Sequence, residues 1–179
     1  VPAAWADASD DAVAAKSEGA EKLVKMVDTI LKPVGLMDGY SLPVSAFYDH
    51  ADGTFEHGAS AYEKRGVAVL VPEWDATTCA KCNQCAYVCP HATIRPFAMS
   101  EEEVAAAPAN MKKAPKPVVK TNYTYTLAVS PMDCMGCGVC VGVCPTKSLK
   151  MVSKESQLEE QKVFDYCVAN VTEKAETTA

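Results

Sequence analysis

The 179-residue chain has no apolar run approaching the roughly 18 residues that a membrane helix needs; its longest, Val67 to Val71, is only strand-sized. No charged segment followed by an apolar stretch opens it, so it shows no secretory signal and reads as a cytoplasmic chain with reduced thiols. Positive charge is in deficit: 17 Lys and Arg face 23 Asp and Glu, for a net charge of −6 and a pI near 5.1. That balance argues against a general nucleic-acid binder, which carries a basic patch. There is no Gly-rich nucleotide loop, no H-E-x-x-H and no G-x-S-x-G, so no catalytic constellation is present. The initiator Met is missing as well. The chain starts at Val1, which predicts a processed product or a piece of something longer.

What the sequence does have is cysteine, nine in all, beside 49% hydrophobic residues that suffice for a real core. Eight of the nine fall in an internal repeat. Residues 79–94 superpose on 134–149 at a constant offset of 55: Cys79, Cys82, Cys85, Val88, Cys89, Pro90 and Ile94 match Cys134, Cys137, Cys140, Val143, Cys144, Pro145 and Leu149. Both copies read C-x2-C-x2-C-x3-C-P, the spacing for a cubane iron–sulfur cluster. Three thiolates, with two residues between neighbours, wrap a loop around one cube. The fourth starts a helix and points away, and the following proline suits the first helical turn. In two-cluster ferredoxins that fourth cysteine ligates the other cluster. The pattern therefore assigns Cys79, Cys82, Cys85 and Cys144 to one 4Fe-4S cluster, and Cys134, Cys137, Cys140 and Cys89 to the second. Such an exchange makes the clusters staples of the fold.

Competing readings exist for each feature. Zinc sites also use C-x2-C pairs, which would make the chain a zinc-stabilised interaction module. Structural disulfides need an oxidising compartment that nothing here indicates. Cys167 reads as a small buried hydrophobe on the last helix. His91 reads as a surface or cap residue rather than a ligand, because the cysteine count is already complete. Ala86, Tyr87, Val88, Val139, Val141 and Val143 read as the dry wall around the clusters. Lys64 and Arg65 read as a solvated turn. With the clusters in place, the chain moves electrons while the substrate chemistry happens elsewhere.

Around the cysteines, apolar spacing at Leu23, Val24, Val27, Ile30 and Leu31 predicts a helix over 11–32, stopped by Pro33 and Gly35. Residues 33–62 read as an extended arm. Val67 to Val71 and Val119 to Val129 read as strands, the latter alternating Tyr123, Tyr125, Leu127 and Val129 with polar residues. Ser100 and Glu103 form a capping-box pattern before a short helix that Pro108 stops. Residues 108–118 read as a surface linker. Residues 153–167 read as helix, with Leu158, Val163 and Phe164 as its apolar side, and a frayed tail follows from about Thr172.

Beyond its cysteines, the run Val71 to Pro96 (VPEWDATTCAKCNQCAYVCPHATIRP) closely resembles pyruvate:ferredoxin (flavodoxin) oxidoreductases. So do YEKRGVA at 62–68, DCMGCG at 133–138 and LPVSAF at 42–47. The resemblance covers roughly residues 20 to 165. It implies an α+β, bacterial-type two-cluster ferredoxin-like domain over 66–152, preceded by an N-terminal helical arm over 1–65 and followed by a C-terminal helix and tail over 153–179. It implies a parent enzyme that oxidatively decarboxylates pyruvate on thiamine diphosphate. Thiamine diphosphate, Mg and a third cluster would lie outside this chain. Its partners would be the remaining domains of the parent and ferredoxin or flavodoxin, with no nucleic acid and no membrane. The 44 residues between Cys89 and Cys134 form an insert longer than in minimal two-cluster ferredoxins. An independent, diffusible ferredoxin is the alternative reading.

Overall fold

A computed structural model describes residues 19–63 and 66–177, so residues 11–18 of the anticipated first helix and both Lys64 and Arg65 lie outside the described residues. The chain divides into two compact units, Val1–Lys64 and Arg65–Ala179. Among the described residues no helix is long and apolar enough to cross a membrane.

In the first unit the helix runs without a break through α1 (Glu21–Met26), a π-helical turn (Val27–Leu31) and α2 (Lys32–Gly35). Pro33 does not stop it. A proline ring clashes with the carbonyl four residues back and cannot donate to it, and the widened π turn just before Pro33 relieves that conflict. Gly35 ends the helix. Met26, Val27 and Ile30 are buried beneath Leu23, Leu31, Leu42, Ala59 and Tyr62. Residues 33–62 are therefore not an extended arm: they form 3-10 turns at Gly39–Ser41, Val44–His50 and Ala59–Tyr62 that return the chain to the helix.

The second unit is a mixed α+β structure in which the sequence repeat becomes visible as an exchange. Its elements are β1 (Leu70–Trp74), α3 (Gln84–Tyr87), β2 (Ile94–Met99), α4 (Glu101–Ala105), β3 (Thr124–Val129), α5 (Val139–Gly142), β4 (Leu149–Ser153) and α6 (Glu160–Asn170). β1 pairs antiparallel with β4, and β2 with β3. Each half thus gives its first strand to the second strand of the other. Pro72 lies opposite Met151 and Pro96 opposite Leu127, positions related by the same offset of 55. Both prolines are tolerated because each sheet has only two strands, so every strand has a free edge.

Strand positions differ from the sequence reading. The first strand starts at Leu70, three residues later than expected, because its register is set by β4; Val67 and Val69 are exposed. β2 and β4 carried no strand signal: Pro96 interrupts one, and the other is five residues of mixed burial. β3 is six residues rather than eleven, and it does not alternate. Tyr125, Leu127 and Val129 join Trp74, Ile94 and Leu149 in the core between the sheets. Ala128, on the opposite face, is covered by Val163, Phe164 and Cys167 of α6. Leu158, read as part of that apolar side, is exposed.

Two segments read as loose are docked. Within 108–118, Met111 and Ala114 are buried, and Ala114 and Val118 donate their N–H groups to the carbonyls of Tyr125 and Tyr123. Lys112 lies between Glu73 and Glu160. The tail from Thr172 is held by Glu103, whose capping box with Ser100 forms as the sequence indicates. The same carboxylate accepts from the Thr172 N–H at 3.0 Å and from Lys174 Nζ at 2.7 Å. Burial works against the Glu103 carboxylate, but these donors outweigh it and hold its pKa down to about 2.

That depressed pKa fixes a sign. Glu103 contributes stability above its ordinary pKa of 4.5, and the contribution is lost as pH falls toward about 2. Glu103→Ala is expected to lower stability by about 2 kcal/mol and to speed amide exchange over 172–177. Glu103→Gln should flatten the acid limb of a stability–pH curve; an unchanged curve would show that the tail contact contributes nothing.

Candidate metal centre

The two cysteine loops have the same backbone. Each reaches its four-residue helix, α3 or α5, through a residue in the left-handed region, Asn83 at φ 58° or Gly138 at φ 73°. Two residues earlier a second left-handed position recurs, Lys81 and Gly136. A third recurs after the proline, at Ala92 and Lys147. All three pairs obey the offset of 55. These sharp turns direct N–H groups at sulfur: Lys81 and Gly136 donate to the Sγ atoms of Cys79 and Cys134, each at 3.3 Å. Thr93 and Ser148 donate to Cys89 and Cys144, at 3.3 and 3.2 Å.

Cys79, Cys82, Cys85 and Cys144 line one cavity, together with Trp74, Tyr125, Leu127 and Leu149. Cys134, Cys137, Cys140 and Cys89 line a second, with Val88, Ile94, Val139 and Met151. Each cavity therefore takes three thiols from one half and its fourth from the other. The crossing follows from the strand exchange, which sets the end of each cysteine loop beside the opposite half.

The fourth thiols differ electrostatically from Cys85, Cys134 and Cys140. Burial pushes the Cys85 and Cys140 thiols up to about 11 and raises Cys134. At Cys89 burial also opposes ionisation, but hydrogen bonds from the Thr93 hydroxyl and N–H outweigh it and bring the pKa below the ordinary value. Cys144 is lowered in the same way by donors at Ser148 and Thr146. A group that binds all eight thiolates must supply positive charge to offset the burial.

An iron–sulfur cube fits this donor set. All nine cysteines are free thiols. Among the described residues no three His, Cys, Asp or Glu side chains converge closely enough for a single metal ion; thiols spread around a cavity instead suit a cube held at its corners. The indole of Trp74 lines the first cavity, and its Nε1 is buried without a hydrogen-bond partner.

Several side chains sit elsewhere than the sequence suggested. Tyr87 is not part of a dry wall: it is 87% exposed. Val139 is 45% exposed at the lip of the second cavity. Val88 does line that cavity, and His91 is an exposed residue on its edge. Tyr125 was noted only as a strand residue. Its hydroxyl donates to Asn83 Oδ1 at 2.7 Å, tying β3 to the first cysteine loop, and its ring meets Trp74 edge-on at 6.1 Å. Cys167, on α6, is fully buried and lines neither cavity.

Residues 78–148 match the 4Fe-4S dicluster domain family. The pyruvate-flavodoxin oxidoreductases of Klebsiella pneumoniae and Enterobacter agglomerans are 44% and 47% identical to the chain over 171 residues. The chain is related to one segment of the pyruvate:ferredoxin (flavodoxin) oxidoreductases. Those two alignments cover 94% of the chain but only 14% of each relative. The pyruvate:ferredoxin oxidoreductase of Moorella thermoacetica is 43% identical over 157 residues, 86% of the chain and 13% of that protein. Residues 12–68 match a separate domain of unknown function.

Burial, with a smaller contribution from the Glu103 carboxylate, raises the Cys167 thiol to about 11. Thiolate is the reactive form, so Cys167 in the metal-loaded protein is expected to resist N-ethylmaleimide at pH 8 until the domain unfolds. Rapid labelling of the native protein at Cys167 would contradict its placement.

Proposed function

We propose that this chain is the electron-transfer segment of a pyruvate:ferredoxin or pyruvate:flavodoxin oxidoreductase. In this reading it relays electrons from thiamine-bound pyruvate oxidation to ferredoxin or flavodoxin. The observation that carries it is the pair of cavities, each ringed by four cysteine thiols drawn from both halves. Cys79, Cys82, Cys85 and Cys144 would hold one 4Fe-4S cluster, and Cys134, Cys137, Cys140 and Cys89 the other. A cluster of this type supplies one-electron exchange.

The residues of the chain do the rest. The N–H groups of Lys81, Gly136, Thr93 and Ser148 point at ligand sulfurs, which stabilises the reduced, more negative state. Trp74, Leu127 and Leu149 keep water from the first cavity, and Ile94 and Met151 do so at the second. The thiamine site, Mg and a third cluster belong, in this reading, to the parts of the parent enzyme outside the aligned segment. The similarity extends well beyond residues 78–148, which favours a segment of the larger enzyme over a free-standing ferredoxin.

Two experiments test the reading. Cys144→Ser is expected to perturb the paramagnetic signal of the cluster held by Cys79, Cys82 and Cys85, and Cys89→Ser that of the other; the reverse pattern would overturn the pairing. Replacing the corresponding segment of the Klebsiella pneumoniae relative with this chain should preserve pyruvate-dependent reduction of flavodoxin. A fully iron-loaded chimaera that cannot reduce flavodoxin would overturn the assignment.

A further inference from the structure

The two cavities are built from twin loops, but their rims are not twins. At the first rim the left-handed positions are Lys81 and Lys147; their counterparts at the second are Gly136 and Ala92. The neighbouring exposed positions reverse the contrast. Met135 and Val139, 52% and 45% exposed, stand at the second rim, where the first has Ala80 and Gln84. One rim is basic and the other apolar, on the same backbone.

The lysines are not there by default. A non-glycine residue in the left-handed region costs about 1 kcal/mol or more, and lysine has no short polar side chain to offset that cost locally. Glycine at 136 has a packing reason, since a Cβ there would lie 3.0 Å from the Leu70 carbonyl oxygen. Position 81 is under no such restriction, and it carries a charge. The Lys81 ammonium donates to the carbonyls of Lys116 and Pro117, at 3.2 and 2.7 Å. This brings the backbone of a third, exposed lysine to the same lip without cancelling the charge. Lys147 is exposed beside Thr146 and Ser148, which line the cavity. Asp75, whose N–H bonds the Ser148 carbonyl, turns its carboxylate to its own Thr77 and Thr78. Cys82, which lines the cavity, is exposed.

We propose that the rim of the first cavity, formed by Lys81, Lys147 and the Lys116 segment around Cys82, is the docking face for an acidic one-electron carrier protein. The inference rests on the electron-transfer reading above. Charge complementarity chooses the occupant. This lip concentrates positive charge in a chain whose net charge is −6, so what it attracts is acidic. Transient redox partners meet through small contacts steered by charge, whereas permanent contacts between parts of one enzyme are larger and more apolar. The apolar second rim, with Met135 and Val139, suits the latter.

The test uses the whole chain, loaded with iron and sulfide under anaerobic conditions, with oxidised flavodoxin, an acidic FMN protein, as the probe. Lys81→Gly with Lys147→Ala gives the first rim the residues of the second, and the glycine removes backbone strain rather than adding it. Calorimetric titration at low ionic strength is expected to show flavodoxin binding weakened on the order of tenfold by the double substitution. The salt dependence of the affinity should shrink, while iron content and the paramagnetic spectrum stay unchanged. Met135→Ser should leave the affinity unchanged. Three results would overturn the docking face: no binding by the loaded wild-type chain, equal affinity in the lysine variant at every salt concentration, or loss of binding only in the Met135 variant. A chain that takes up no iron would instead overturn the electron-transfer reading on which the proposal stands.

Discussion

Everything in the second unit depends on one constraint: neither half can complete a cavity alone. The strands exchange partners, β1 with β4 and β2 with β3, so the fourth cysteine of each run stands beside the first three of the other. Residues from all four strands then meet in one core, Trp74, Ile94, Leu127, Val129 and Leu149, between the two cysteine sites. That core is small, and many of its neighbours are cysteines. Its cohesion and the chemistry of its thiols are the same problem, because buried thiols with raised pKa values need a partner that supplies positive charge.

The outer elements brace this arrangement. α6 covers the far face of β3 through Val163, Phe164 and Cys167, and the guanidinium of Arg95 on β2 lies 5.5 Å from the Phe164 ring centroid. Glu103 ties the start of α4 to the chain end at Thr172 and Lys174. Tyr125 links β3 to Asn83 in the first cysteine loop. The insert that separates the two cysteine runs is thus a working part of the fold: it contains β2 and β3, half of the strand framework.

How legible this was in the sequence depended on the physics behind each signal. The offset of 55 was plain, because the cluster loops demand fixed residue types at fixed positions. The structure carries that offset into helices, left-handed residues and N–H···S bonds alike. The Ser100–Glu103 capping box was equally legible, being a local hydrogen-bond pattern. Strands were not. β2 contains Pro96, β1 contains Pro72, and each survives only because its sheet has two strands, which is a fact of topology and not of sequence. Alternation failed at β3 because both of its faces are buried. Pro33 did not stop its helix because a π turn absorbs it. Tyr87 could not be placed from spacing alone: a four-residue helix gives it no apolar stripe to belong to. The asymmetry of the rims lay in the sequence throughout, but it needed the superposed backbone to show that Lys81 and Lys147 occupy the positions of Gly136 and Ala92.

The central claim is that two cavities, each with four thiols from both halves, hold two 4Fe-4S clusters. Metal and acid-labile sulfide analysis of the anaerobically purified chain tests it most directly. The account predicts about eight iron and eight sulfide per chain. Stoichiometric zinc without sulfide would contradict it.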